Sequence, residues 1–222
     1  MIEEEPSGLA LASRFQAEEL ANAITHGIGL ALSVVGAVAL LISASSRGDV
    51  WLIAGCGVFA TTLVALYAAS TLSHSVSRPP LRHWFRRLDH GAIYLLIVGT
   101  YTPFALAYLR SGWWLSFFGL MWTIALCGLL SKVLFSHRVE AVAIWSYLLL
   151  GWMPVVTVRS LVESIPAVVL WWMLIGGLCY TVGTVFLIYD DRRPFFHAIW
   201  HAFVIAGSMS HFFAIFLLVT CS

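Results

Sequence analysis

The sequence predicts an all-α integral membrane protein built as a bundle of seven transmembrane helices. Hydrophobic residues make up 60% of its 222 residues and charged residues only 10%, whereas soluble domains carry about 25% charged residues. With so little charge available for a surface, much of the chain must be solvated by lipid. This composition excludes a soluble enzyme, a disordered chain and a collagen-like fibre. The formal net charge of +1 predicts no nucleic-acid partner.

The few charged residues leave seven long gaps between them, and these gaps predict the number of helices. Stretches of 18 residues or more without Asp, Glu, Lys or Arg are 20–46, 50–77, 90–109, 111–131, 141–158, 164–189 and 194–222. About 20 apolar residues, each rising 1.5 Å, cross the hydrocarbon core of a membrane. We therefore expect each stretch to cross the membrane once. The shortest stretch is 141–158, and the helix there is expected to include residues on either side of it. The alternating ten-residue segments of a membrane β-barrel are absent from the sequence.

The positions of lysine and arginine predict the orientation of the bundle, because these residues are enriched in cytoplasmic loops. Nine lie on the side of the N-terminus and three on the opposite side. The nine are Arg14, Arg78, Arg82, Arg86, Arg87, Lys132, Arg138, Arg192 and Arg193, and the three are Arg47, Arg110 and Arg159. We therefore expect a cytoplasmic N-terminus and a C-terminus outside the cell.

Two local features modify this pattern. Pro103 and Pro154 lie inside predicted helices, where proline is expected to cause a kink. Residues 9–20 mix apolar and charged side chains in a way that suits a helix lying at the membrane surface, although a loosely ordered tail fits them equally well. The predicted organisation is a cytoplasmic tail or interfacial helix over 1–19 and a seven-helix transmembrane domain over 20–222.

The histidines carry the main chemical signal. With this topology, His74 near the end of helix 2 and His197 and His201 at the start of helix 7 come to the same cytoplasmic end. His197 and His201 stand four residues apart, so their rings project from one helix face. Three neutral imidazoles with an open fourth position are typical of a catalytic zinc site. The alternative interpretation is that these histidines lie at the level of the lipid headgroups and hydrogen-bond to phosphates or carbonyls.

Ser70 and Asp89 are the candidate catalytic partners of such a metal. Ser70 precedes His74 by four residues, so it lies on the same helix face and one turn deeper in the membrane. Its hydroxyl could polarise a substrate carbonyl, or it could bond the carbonyl one turn back, as serines inside helices commonly do. Asp89 follows Arg86 and Arg87. It could form an ion pair at the membrane interface, or serve as a general base beside the metal.

Motifs in three separated parts of the chain resemble a known family. Glu19 to His26 reads ExxNxxTH, and Ser70 to His74 reads SxxxH. LDHGAIY (88–94) and GTYTP (99–103) follow, and HAIWH (197–201) leads to Gly207 and His211-Phe212. In this order, over nearly the whole chain, they resemble the bacterial hemolysin III family, the prokaryotic branch of the progestin and adipoQ receptor (PAQR) group. One departure is Ser73, where relatives usually carry an aromatic residue.

The resemblance implies a seven-helix fold with the N-terminus inside and a bacterial inner (plasma) membrane location. It implies a Zn²⁺ ion held by His74, His197 and His201, with Asp89 contacting the ion through a water molecule. Ser70 matches a serine that recurs beside this site in the wider superfamily, which includes alkaline ceramidases, membrane hydrolases of lipid amides. The first motif adds residues that we interpret as supports at the cytoplasmic mouth rather than ligands, namely Glu19, Asn22 and His26.

The leading functional hypothesis is a zinc-dependent membrane hydrolase that acts on a lipid amide or ester. In this hypothesis zinc lowers the pKa of its bound water, Asp89 takes the proton, and the hydroxide attacks the carbonyl. Ser70 and zinc stabilise the resulting oxyanion. Membrane lipids are the expected partners because the site opens among apolar helices. One alternative is a pore-forming lysin, and another is a non-enzymatic regulator of membrane lipids or a receptor-like sensor with structural zinc.

Overall fold

The computed structural model describes residues 8–110, 112–135 and 140–221 of the chain. All regular secondary structure in these ranges is helical. The α-helices are α1 (Gly8–Arg47), α2 (Val50–Ser75), α3 (Pro79–Tyr108), α4 (Trp113–Phe135), α5 (Glu140–Trp152), α6 (Val158–Val162), α7 (Ala167–Ile188) and α8 (Phe196–Cys221). Arg138 and the first seven residues of the predicted tail lie outside the described residues.

Seven helical segments of the described chain are long and apolar enough to cross a membrane. Five of them coincide with helices α2–α4, α7 and α8, and the first is Ser13–Arg47 within α1. The remaining segment, Val142–Val162, combines most of α5 with the turn and α6. Each segment overlaps one of the seven charge-free stretches of the sequence. The predicted all-α, seven-helix membrane architecture is therefore confirmed.

Two helices extend further than the charge-free stretches predict. Helix α1 contains 40 residues and α3 contains 30, which correspond to lengths of about 60 Å and 45 Å. Both exceed the roughly 30 Å thickness of the hydrocarbon core. Helix α1 runs without a break across the boundary at residue 19, so the described part of the tail continues the first transmembrane helix. Helix α3 begins at Pro79, and Asp89 consequently lies three turns inside it rather than at its start.

The two prolines within predicted helices behave differently. Helix α3 continues through Pro103. At Pro154 the α-helical hydrogen bonding stops, and a 3₁₀ turn over Met153–Thr157 separates α5 from α6. Thr157 Oγ1 donates a hydrogen bond of 2.7 Å to the carbonyl of Pro154 and accepts one of 2.8 Å from the Tyr101 hydroxyl. The Thr157 hydroxyl thus connects the turn to Tyr101 on α3, and polar groups in apolar surroundings need such partners.

Short connections make consecutive helices antiparallel neighbours. Only Gly48 and Asp49 separate α1 from α2, and Gly48 takes a positive φ of 73° that favours glycine. Asp49 caps α2 by accepting a hydrogen bond of 2.8 Å from the Trp51 amide. Helix α2 packs between α1 and α3, α8 packs between α1 and α7, and α4 lies against α3 and α5. The end of α2 and the start of α8 therefore lie at one end of the bundle, together with the first turns of α1 and α3.

Close packing of α2 on α3 at Gly55 is a testable feature of this arrangement. A Cβ atom on Gly55 would lie 2.7 Å from the Pro103 Cα atom, whereas a Cβ atom on Gly57 would meet no atom within 4 Å. We expect Gly55→Ala to destabilise the protein by about 1–3 kcal/mol, because backbone atoms must move apart. Thermal unfolding in detergent, followed by tryptophan fluorescence, measures this effect. Gly57→Ala is the matched control, and equal unfolding temperatures for the two variants would contradict the prediction.

Candidate metal centre

Three histidines from two helices converge at the predicted cytoplasmic end of the bundle. His74 lies in the last turn of α2, and His197 and His201 lie in the first two turns of α8. One ligand atom of each lies within 4.8 Å of those of the other two. The ring centroid of His74 is 5.2 Å from those of both His197 and His201, which are 4.5 Å from each other. This cluster could hold a metal ion.

The hydrogen bonds of the three rings leave one nitrogen of each ring for a metal. His74 Nδ1 lies 2.9 Å from Glu19 Oε2, and His197 Nδ1 lies 2.8 Å from Asp190 Oδ2. A carboxylate accepts the hydrogen bond in each pair, so Nδ1 carries the proton and Nε2 is unprotonated when the ring is neutral. Metal-binding histidines commonly show this arrangement, because the bond fixes the ring and makes it a better ligand.

His201 also has a hydrogen-bond acceptor beside Nδ1, in this case a hydroxyl, so its Nε2 is likewise available. Its Nδ1 atom lies 3.4 Å from Thr25 Oγ1, and Thr25 donates its own proton to the Ala21 carbonyl at 2.7 Å. The Thr25 oxygen is therefore the acceptor from His201. Three imidazoles with available Nε2 atoms are a donor set that fits zinc. The donor set thus agrees with the metal that the sequence motifs imply.

Asp89 shares a cavity with this cluster but is not one of its three members. It is buried and lines the same cavity as the three histidines. Ser73 Oγ donates a hydrogen bond of 2.9 Å to the Ser70 carbonyl and also contacts Asp89 Oδ2 at 3.4 Å. The ion pairs with Arg82 and Arg86 are made by Glu19.

Ser70 contacts the histidine of the first motif. It is fully buried, and its hydroxyl is 2.6 Å from His26 Nδ1. The His26 ring stacks on His201 with centroids 3.5 Å apart, and His26 Nε2 has no hydrogen-bond partner among the described residues. His26 lines the cavity, whereas Ser70 is not among the described lining residues. Ser70 therefore lies behind His26 as seen from the cavity.

Two contacts of the site were not predicted from the sequence. Glu19 was interpreted only as a support at the mouth, but it contacts His74 directly and also binds Arg82 and Arg86. Asp190 was not singled out at all, since it belongs to no motif. The only sequence signal for Asp190 is a pair of carboxylates seven and six residues before His197.

Two adjoining cavities surround these groups. The first, of about 480 Å³, contains the three histidines and Asp89 in its lining. The second, of about 230 Å³, is a mainly apolar chamber between α3, α5, α7 and α8. Residues lining both are Leu66, Ile93, Tyr147, Trp200 and Val204. A polar cavity with metal-binding groups thus borders an apolar chamber.

Loss of a single cluster histidine should remove the metal. We expect the purified chain to contain zinc and His201→Ala to lose it, because two remaining imidazoles do not complete the three-ligand set. Elemental analysis by mass spectrometry after gel filtration measures the zinc content. His83→Ala is the control, since His83 is exposed and outside the cluster. Equal zinc contents in the two variants would contradict the assignment.

Comparisons with known proteins identify the family of this chain. The family model described as "Haemolysin-III related" matches residues 15–212. "Hemolysin-3" of Bacillus cereus is 40% identical, covering 93% of this chain and 94% of its own length. The "Hemolysin-3 homolog" of Bacillus subtilis (strain 168) is 39% identical, covering 89% of this chain and 92% of its own length. Human "Monocyte to macrophage differentiation factor" is 32% identical, covering 89% of this chain and 83% of its own length.

No solved structure matches the chain significantly. The family match nevertheless spans all the motifs that form the metal centre, from Glu19 to His211. The resemblance read from these motifs is confirmed. The chain belongs to the haemolysin III family of membrane proteins.

Proposed function

We propose that this protein is a zinc-dependent membrane hydrolase that cleaves an amide or ester bond of a lipid. One observation carries the proposal: three imidazoles with available Nε2 atoms lie in a cavity that borders an apolar chamber. A water-accessible polar site next to an apolar cavity suits a substrate with a polar headgroup and a hydrocarbon chain. Membrane lipids have this composition.

The proposed orientation puts the metal centre on the cytoplasmic side. The basic residues Arg82, Arg86 and Arg87 belong to the first turns of α3, at the same end of the bundle as His74. Arg47 and Arg110 lie at the opposite helix ends. The excess of basic residues beside the metal centre supports a cytoplasmic position.

When bound, zinc would supply Lewis-acid activation of water and of the substrate carbonyl. His74, His197 and His201 would hold it, and three protein ligands are typical of catalytic rather than structural zinc sites. This ligand count favours an enzyme over a sensor with structural zinc.

Asp89 is the proposed general base. Its carboxylate is buried and lines the cavity that contains the three histidines. In this proposal the Asp89 carboxylate accepts a proton as water adds to the carbonyl carbon, and it then gives that proton to the leaving nitrogen or oxygen. The bond to the leaving group breaks, and the products are a carboxylic acid and a free amine or alcohol.

We propose that Ser70 acts together with His26 in stabilising the oxyanion. Ser70 can donate its proton to His26 Nδ1, which leaves Nε2 as a proton donor. His26 Nε2 is buried without a partner, and the ring forms part of the cavity wall. In this proposal the Ser70 hydroxyl fixes the His26 ring, and the Ser70–His26 pair supplies a hydrogen bond to the developing negative charge.

The apolar chamber is the proposed location of the acyl chain. Leu96, Ile97 and Leu170 are among the apolar side chains that line it, and Gly151 and Gly177 leave space on facing helices. The shared wall with the metal cavity would bring a carbonyl at the head of the chain toward the three histidines. The chamber volume then limits the length of chain that is accepted.

Asp89→Asn tests the proposed base. We expect turnover to fall by about 10²–10⁴-fold while zinc is retained, because the amide cannot accept the proton. Turnover is measured on purified, zinc-loaded protein with ceramides, phospholipids and acyl amides as substrates. Asp191→Asn is the control, since Asp191 is exposed and lines the same cavity. A zinc-loaded wild-type protein that hydrolyses none of these substrates would overturn the proposed function.

Gly177→Leu tests the location of the acyl chain. The Cβ atom at position 177 would be 4.0 Å from the nearest side-chain atom, in Trp152, so the helix tolerates a side chain there. A leucine would fill part of the chamber, and we expect the preferred substrate to become shorter by several methylenes. Competition between substrates of different chain length measures this preference. Gly119→Leu on α4, where a Cβ atom meets open space, should leave the chain-length preference unchanged. An unaltered preference in Gly177→Leu would exclude the chamber as the site of the acyl chain.

A lytic pore is the alternative function, and it is favoured by the name of the Bacillus cereus relative, "Hemolysin-3". Planar bilayer recordings separate the two functions. A conductance that persists after His197 and His201 are replaced by alanine would favour the pore over the hydrolase.

A further inference from the structure

Asp190 lies in the connection between α7 and α8, outside the motifs that define the metal centre. The connection runs from Tyr189 to Phe195 and turns back so that Asp190 meets the first turn of α8. Its Oδ2 atom is 2.8 Å from His197 Nδ1. Phe195, the last residue of the turn, has a positive φ of 61°, which is uncommon for a bulky residue.

We propose that Asp190 is a positioning residue for the metal: its carboxylate holds the His197 ring with Nε2 directed to the ion and raises the affinity of the centre for zinc. The inference rests on the zinc centre proposed above, but it is independent of whether that centre hydrolyses a lipid. It assigns a role in metal binding to the α7–α8 connection.

His197 needs this support more than the other two ligands. Its side chain is 25% exposed, whereas that of His74 is 7% exposed and His201 is 1% exposed. Packing therefore fixes His74 and His201, but a partly exposed ring keeps rotamer freedom that metal binding would have to remove. A hydrogen bond from Nδ1 to a carboxylate restricts this freedom before the metal arrives.

The carboxylate also acts through charge. Hydrogen bonding to a carboxylate makes the imidazole a stronger electron donor to a metal, and it selects the tautomer with an unprotonated Nε2. The same arrangement occurs on the other helix, where Glu19 contacts His74 at 2.9 Å. Glu19, however, also forms ion pairs with Arg82 and Arg86, and these positive charges partly neutralise its carboxylate. Asp190 makes no ion pair with an arginine or lysine among the described residues.

The expected size of the effect follows from the partial exposure of the pair. Removal of such a hydrogen-bond partner typically lowers metal affinity by 10–100-fold. The Asp190 side chain is 22% exposed, and solvent screening weakens its charge. We therefore expect the lower part of this range, about tenfold.

The test compares zinc affinity in the full-length chain and three variants. Zinc dissociation constants are measured by competition with a chromophoric chelator in detergent. Asp190→Ala should bind zinc about tenfold more weakly. Asp190→Glu retains the carboxylate and should recover part of the loss. Asp191→Ala removes the same charge from the next, exposed residue and should bind zinc as tightly as the wild-type protein.

Two further readouts separate positioning from a structural role. Co²⁺ in place of zinc should give an altered visible absorption spectrum in Asp190→Ala and an unaltered one in Asp191→Ala, because only the former frees a ligand ring. The unfolding temperature of the metal-free protein should be similar in both alanine variants. Equal zinc affinities in the two, or a loss in Asp190→Ala matched by unfolding of the metal-free form, would overturn the inference. A wild-type protein that binds zinc but hydrolyses no lipid would overturn the proposed activity alone.

Discussion

The constraint on which this site depends is that an imidazole among apolar helices needs partners for its nitrogens, since hydrocarbon offers none. His74 and His197 each bond a carboxylate through Nδ1, and His201 bonds the Thr25 hydroxyl. The remaining nitrogen of each ring would be an isolated polar atom if it had no further partner. A shared cation would satisfy all three at once, so the cluster that could hold a metal ion is also one that a metal would stabilise.

The same constraint links the site to the lengths of the helices. Helices α1 and α3 are longer than the hydrocarbon core is thick, and side chains in their additional turns have polar partners. Glu19 on α1 contacts His74 on α2 and binds Arg82 and Arg86 on α3. One carboxylate thus connects three helices and also contacts a histidine of the candidate metal centre. The electrostatic contacts around this candidate site therefore help to hold this end of the bundle together.

The packing of the helices also determines what can reach the histidine cluster. Helices α3 and α8 contribute to both cavities, and five residues form their common wall. Helix α5 gives way to a 3₁₀ turn at Pro154, which lines the apolar chamber. The helix break that the proline causes therefore lies in the wall of the space proposed for an acyl chain. An amphiphilic molecule fits this pair of cavities better than a wholly polar or wholly apolar one.

By itself, the sequence determined the number of membrane helices. Charged side chains are excluded from hydrocarbon, so each membrane-spanning helix appears in the sequence as a long stretch without charged residues. It also determined the candidate ligands, because helical periodicity places His197 and His201 on one face and the motifs add His74. The tertiary structure decided which groups surround these ligands. Glu19 and His74 are 55 residues apart, and Asp190 reaches His197 only through the turn before α8. Such contacts depend on how helices pack and how a connection folds back, and neither has a periodic signal along the chain.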